Sequence, residues 1–164
     1  MSCRPLFFGF FPDLHWPDNY GFIIVQQKPA SPKSQTMPST MNKLHETNRN
    51  VLLIEDEGEM CLLLNLILDP AGLIVDHVKS LAAADAYLEK KLPALILLDN
   101  RLPDGFGLDY LGQLKNKYPW IKIIVISGVD AAAEDIALEI GADAFLSKPF
   151  TKAKLLASVN SLIS

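Results

Sequence analysis

Four short apolar runs each lead directly into residues suited to phosphoryl chemistry. Val51–Ile54 precedes Glu55 and Asp56, Ala94–Leu98 precedes Asp99, Ile123–Ile126 precedes Ser127, and Ala144–Ser147 precedes Lys148. An aspartate carboxylate can attack phosphorus and form an aspartyl phosphate, which makes Asp99 the candidate nucleophile. Two adjacent carboxylates at the end of an apolar run repel each other unless a cation offsets their charge. Mg2+ suits that role, since it takes a few carboxylate oxygens, keeps some waters and accepts phosphate oxygens. Asp56 and Asp99, with Glu55 acting through water, form the candidate Mg2+ set. Such an ion would screen an anionic nucleophile from an anionic donor. Lys148 can pair with Asp99 and then with phosphoryl oxygens, and the Ser127 hydroxyl can donate to a new phosphoryl oxygen.

Each of these residues has an ordinary account when taken alone. Asp56, with Glu59 three residues later, resembles a capping box at a helix start. Asp99 fits a cap or turn, Ser127 a helix approach, and Lys148 a solvated charge. Their conjunction at the ends of these four apolar runs favours one shared site.

Those runs must be strands of one parallel sheet for the residues to meet. From Val51 onward, apolar runs alternate with helical patterns, which predicts βαβ units. The first strand is followed by a helix opened by Asp56–Glu59, with Met60, Leu63, Leu64, Ile67 and Leu68 at helical spacing and a stop at Pro70 and Gly72. Strand two is Leu73–Val78, followed by a Ser80-capped helix over Leu81–Lys90. Strand three is Ala94–Leu98, and a Pro-Asp-Gly turn at 103–105 leads to a helix carrying Leu108, Leu111 and Leu114. Strand four is Lys122–Ile126, and an Ala-rich helix runs from about Ala131 to Gly141. Strand five is Ala144–Ser147, and Thr151 caps the last helix, which runs nearly to Ser164. The pattern predicts an α/β fold, a (βα)5 doubly wound parallel sheet in the order 2-1-3-4-5, with right-handed crossovers and three layers. In such sheets ligands bind at the carboxyl ends of the strands.

Charge divides the chain unevenly. Residues 1–50 carry five Lys or Arg against three acids, and residues 51–164 carry ten against sixteen. The acidic globular part disfavours nucleic-acid binding, which needs a basic face. Cys3 and Cys61 are too few and too far apart for a disulfide framework or zinc site, and no apolar run approaches membrane-spanning length. The expectation is a cytoplasmic protein with no membrane span. Residues 1–48 read as an N-terminal extension ahead of a domain over 49–164. Seven aromatics crowd residues 1–25, with a strand-like pattern only at Gly21–Val25, and residues 28–40 are rich in Pro, Ser and Thr, as linkers are. Two accounts stand side by side: a docking segment, or an upstream stretch ahead of a true start at Met41.

The segments Val51-Leu-Leu-Ile-Glu-Asp-Glu57, Leu97-Leu-Asp-Asn-Arg-Leu-Pro-Asp-Gly105, Ile126-Ser-Gly128 and Phe145-Leu-Ser-Lys-Pro-Phe150 resemble the response-regulator receiver domain of two-component systems. The resemblance covers about residues 50–164 and implies a flavodoxin-like three-layer sandwich. It implies Mg2+-dependent phosphorylation of Asp99 by a histidine kinase or histidine phosphotransfer protein, within a phosphorelay. It adds the backbone carbonyl of Arg101 to the metal ligands, assigns Lys148 and Ser127 to the reaction, and makes Ser127 and Phe145 the switch. A cis peptide is implied before Pro149. The face formed by helix four, strand five and helix five is implied as the surface for a downstream protein target or a homodimer.

Three departures stand out. Glu55 replaces the more frequent Asp, Phe145 lacks the hydroxyl of the common Tyr, and Val129 cannot orient an attacking water. A phosphoryl state longer-lived than in fast chemotaxis-type receivers is expected, and rapid decay in a phosphate-release assay would contradict it. The chain stops with the last helix, so the expectation is a receiver without an output domain, acting as shuttle, adaptor or phosphate sink, and with no turnover on external substrates. A flavodoxin-like electron carrier would share the fold, but the Glu55-Asp-Glu57 loop would repel an FMN phosphate. A dehalogenase-type phosphatase would need a second Asp two residues after Asp99, where Arg101 stands.

Overall fold

Parallel strands buried on both faces need apolar residues at every position, and the inner runs Val51–Ile54, Leu95–Leu98 and Ile123–Ile126 have them. A computed structural model describes residues 49–128 and 131–163, with the backbone alone of Ala131 and Ala132. The N-terminal extension of residues 1–48, including Gly21–Val25 and Met41, and Val129 lie outside the described residues. The elements are β1 (Asn50–Ile54), α1 (Gly58–Leu68), a 3-10 turn (Asp69–Ala71), β2 (Ile74–Val78), α2 (Leu81–Leu88), β3 (Leu95–Asp99), α3 (Gly107–Lys117), β4 (Lys122–Ser127), α4 (Ala131–Ile140), β5 (Ala144–Ser147) and α5 (Lys152–Leu162). The strands form one sheet in the order β2-β1-β3-β4-β5, parallel throughout. This is the (βα)5 arrangement expected from the sequence.

Alternation along the strands divides the core between the two faces. Leu52, Ile54, Ile96, Leu98, Ile123, Val125 and Phe145 point to one side, where Ala84, Leu88, Tyr110, Leu111, Leu114 and Ala137 of α2, α3 and α4 meet them. Val51, Leu53, Leu95, Leu97, Ile124, Ile126 and Leu146 point to the other, against Cys61, Leu64, Ile67 and Leu68 of α1 and Leu155 and Val159 of α5. The result is three layers. No helix among the described residues is long and apolar enough to cross a membrane.

Element boundaries differ from the sequence pattern at several points. Asp99 and Ser127 belong to the last positions of β3 and β4 rather than following them. Leu73 lies just ahead of β2, and α2 ends at Leu88 rather than Lys90. The Ser80 and Thr151 caps form, accepting from the amides of Ala83 and Lys154 at 3.2 Å each. The capping-box geometry at Asp56 does not form: Glu57 holds the N-cap position of α1 and makes no side-chain cap bond. Asp56 is therefore not engaged as the helix cap.

A half-buried charge cluster fixes the sheet end opposite the site. Asp143 accepts from the Lys115 ammonium, from Lys122 Nζ at 3.0 Å and from the amide of Ile123 at 2.9 Å. Burial opposes its charge, but Lys115, the Ile123 amide and Lys122 outweigh it and hold the carboxyl below the usual range. A lowered folded pKa contributes stability above the unfolded value near 3.8, and that stability is lost as pH falls through the folded value. Asp143→Asn is expected to lose about 2 kcal/mol at neutral pH. The gap to wild type should close as denaturation is repeated at progressively more acid pH; a gap that stays constant would contradict this account.

Candidate functional site

Parallel register brings the strand ends together. β3 pairs with both β1 and β4, and β4 pairs with β5, so Glu55, Asp99, Ser127 and Lys148 come from four adjacent strand ends. They line a cleft of about 210 Å³ together with Asp56, Glu57, Arg101 and Gly128. All five residues singled out from the strand ends meet here. Lys148 reaches Asp99 Oδ1 at 2.7 Å and Glu55 Oε2 at 2.8 Å. Asp99 Oδ2 accepts from the Arg101 amide at 2.6 Å, and Glu55 Oε1 accepts from the Glu57 amide at 3.2 Å. Ser127 is buried, and its carbonyl accepts from the Lys148 amide at 2.8 Å, tying the β4 and β5 ends together. The Lys148–Pro149 bond is cis.

The cleft concentrates negative charge. Glu55 and Asp99 are buried and Asp56 is exposed, and all three offer oxygens within 4.8 Å of one another. Burial pushes the Glu55 carboxyl up, the Asp99 charge adds to this, and Lys148 only partly offsets it. Burial also works against the Lys148 ammonium, but its bonds to Asp99 and Glu55 outweigh it and hold its pKa above the ordinary lysine value. Among the described residues the three clustered carboxylates share Lys148 as their ion-pair partner, which leaves charge uncompensated. A hard divalent ion with oxygen ligands fits this donor set, so the residues present fit Mg2+.

The linkage of Glu55 has the opposite sign to that of Asp143. A raised folded pKa favours the protonated carboxyl, so the stability it contributes is present below the unfolded value near 4.5 and is lost as pH rises through the folded value. At neutral pH without a divalent ion, Glu55→Gln is expected to raise the melting temperature by a few degrees. The gain should shrink as the buffer is made more acid. Added Mg2+ should stabilise wild type more than the variant, and thermal melts that show Glu55→Gln gaining as much from Mg2+ as wild type would remove Glu55 from the metal site.

Several positions that shape the cleft leave little trace in the sequence. Arg101–Leu102 and Gly105–Phe106 form a two-residue antiparallel ribbon after β3. Asp104, in its turn, accepts from the amides of Leu81 and Ala82 at 2.9 Å each, a second cap for α2 from a distant segment. Asn100 is buried; its Oδ1 accepts from the Leu108 amide at 3.1 Å and its carbonyl from the Gly107 amide at 3.0 Å. Gly107 sits so close that a Cβ there would lie 2.3 Å from the carbonyl oxygen of Asp99. The one available signal was the Gly-Phe-Gly at 105–107. Phe145 is buried in the core shared by α2, α3 and α4, with its ring already inward.

This arrangement of strand ends matches known proteins. The family model described as the response regulator receiver domain matches residues 51–160. The photosynthetic apparatus regulatory protein RegA of Cereibacter sphaeroides is 33% identical over 103 residues, 62% of this chain and 56% of that protein. The chain thus spans little more than half the length of that relative. A CheY-like response regulator receiver domain protein from Methanospirillum hungatei JF-1 has a similar structure, with TM-score 0.64 and 26% identity over 68% of this chain and 90% of that one. The beryllofluoride-activated NtrC4 receiver domain dimer aligns with TM-score 0.67 and 29% identity over 70% of this chain and 96% of that one. Receiver domains of this kind bind Mg2+ at an acidic pocket, and here Glu55, Asp56 and Asp99 make such a cluster. With the family model covering most of the folded unit and the acid cluster at its strand ends, the chain belongs to the response regulator receiver domain family of two-component signal transduction.

Proposed function

We propose that Asp99 is the phosphoacceptor of this receiver and that its phosphorylation switches the binding of a partner. The observation that carries the reading is the Lys148 ammonium bonded to both Asp99 and Glu55 in a cleft that Asp56 completes. Lys148 holds the Asp99 carboxylate in place, with Oδ2 aligned by the Arg101 amide. As an Asp99 oxygen bonds to phosphorus, the bond from phosphorus to the donor's nitrogen or oxygen breaks and its electrons leave with the donor. Lys148 then pairs with phosphoryl oxygens, and Ser127 donates its hydroxyl hydrogen to one of them. Glu55, Asp56, Asp99 and the Arg101 carbonyl would hold Mg2+. When bound, that ion supplies charge screening between the acceptor and the donor phosphoryl group.

Ser127 and Phe145 are the proposed switch, with the Lys148 amide bond to the Ser127 carbonyl as the link between the β4 and β5 ends. Because the Phe145 ring is already buried, the switch works through repacking of its neighbours. The proposed donor is a histidine kinase or histidine phosphotransfer protein in the cytoplasm. The α4–β5–α5 face is the proposed surface for a target or a second copy. Shuttle, adaptor and phosphate sink are the proposed roles of the receiver unit taken by itself, with no turnover on external substrates.

Intact-mass measurement after incubation with acetyl phosphate tests the reading. Gain of one phosphoryl group with Mg2+, and none when the ion is chelated, is the expected result. No gain under any Mg2+ concentration would make the domain a binding module that keeps the receiver fold without its chemistry.

A further inference from the structure

A histidine on the neighbouring strand lies behind the acid pair, outside the reaction described above. His77, on β2, places Nε2 2.6 Å from the backbone carbonyl oxygen of Glu55 and 2.8 Å from Sγ of Cys61. The Cys61 thiol, buried on α1, faces the same carbonyl oxygen at 3.7 Å. A carbonyl oxygen only accepts, so the 2.6 Å contact calls for a proton on Nε2.

The bond falls where the strand ladder ends. Ile54 and Val78 are the last paired residues of β1 and β2, and the Glu55 amide donates to the Val78 carbonyl at 3.1 Å. On the carbonyl side of Glu55 a side chain provides the next bond. Two residues on, the Glu57 amide donates to Glu55 Oε1 at 3.2 Å. Asp56 therefore lies between two anchored residues, and the peptide plane joining it to Glu55 is the plane that His77 holds. Rotation of that plane moves both carboxylates relative to Asp99.

We propose that His77 is a positioning residue for the metal-binding acid pair: its Nε2–H holds the Glu55–Asp56 peptide in the orientation that presents both carboxylates to the cation. The proposal rests on the reading of Glu55 and Asp56 as Mg2+ ligands. Groups that orient metal ligands change affinity by about 10- to 100-fold when removed. His77 does so through the backbone of one ligand and not through its carboxylate.

Calorimetric titration of the full chain with MgCl2 tests this, comparing wild type, His77→Met and His77→Gln. His77→Met fills the space without a donor and is expected to bind Mg2+ about 10-fold more weakly, while phosphoryl uptake from acetyl phosphate at saturating Mg2+ stays within a few-fold of wild type. His77→Gln keeps an N–H donor and should recover most of the affinity. A folded His77→Met with wild-type Mg2+ affinity, or a His77→Gln as weak as His77→Met, would overturn the proposal. Should His77→Met fail to fold, 15N NMR of the wild-type imidazole decides: an Nε2–H tautomer supports the bond, and an Nδ1–H tautomer overturns it. Wild type that binds no Mg2+ would instead overturn the metal reading itself, and this proposal with it.

Discussion

Asp99→Asn is expected to take up no phosphoryl group from acetyl phosphate and Mg2+, under conditions in which wild type gains one. The substitution keeps the shape of the side chain but replaces an anionic oxygen with a neutral amide, which is a poor nucleophile toward phosphorus. It also removes one of the three clustered carboxylates and the anionic partner that Lys148 meets at 2.7 Å. Folding should survive, because the Asn oxygen can still accept from Lys148 or from the Arg101 amide. Intact mass distinguishes the outcomes, and a parallel thermal melt shows that the variant is folded. A phosphoryl gain in Asp99→Asn equal to that of wild type would move the acceptor to another carboxylate and overturn the assignment.

The second large effect is expected at a residue with no side chain. Gly107→Ala places a methyl carbon 2.3 Å from the Asp99 carbonyl oxygen and 3.1 Å from the Asn100 Cα. Both neighbours are backbone, so neither can rotate away as a flexible side chain would. Overpacking of this kind costs about 3 kcal/mol, at the upper end of its usual range, which for a domain of this size is roughly a 10 °C fall in melting temperature. Relief by moving the ribbon would break the Asn100 bonds to the amides of Gly107 and Leu108 and shift the phosphoacceptor. Phosphoryl uptake should therefore fall along with stability. Denaturant titration checks the first part, and a Gly107→Ala chain as stable as wild type would show that the β3–α3 junction is looser than its geometry indicates.

The sheet, its order and the identity of the cleft residues were legible because each depends on local pattern plus one topological rule. Buried parallel strands have to be apolar throughout, and Val51–Ile54, Ala94–Leu98 and Ile123–Ile126 are. Parallel pairing through helical crossovers then places all the carboxyl ends on one edge. Strand boundaries erred by one residue at Asp99 and Ser127, since hydrogen bonding continues into the polar residue that a hydropathy reading takes as the stop. The capping-box account of Asp56 taken alone, which local spacing allows, does not hold. The helix starts one residue later, at a Glu57 N-cap.

The amino-acid sequence by itself determined that a (βα)5 sheet forms and that Glu55, Asp56, Asp99, Ser127 and Lys148 share its carboxyl edge, because periodicity and chain connectivity suffice for both. Only the tertiary structure decided that one lysine bridges Asp99 and Glu55, that Asp104 caps a helix from a distant turn, that Gly107 must lack a Cβ, and that His77 holds the Glu55 carbonyl. The physical reason is range. Hydrogen bonds between residues separated by some 20 to 90 positions leave no periodic trace, since they depend on how packed layers meet and not on the order of neighbours along the chain.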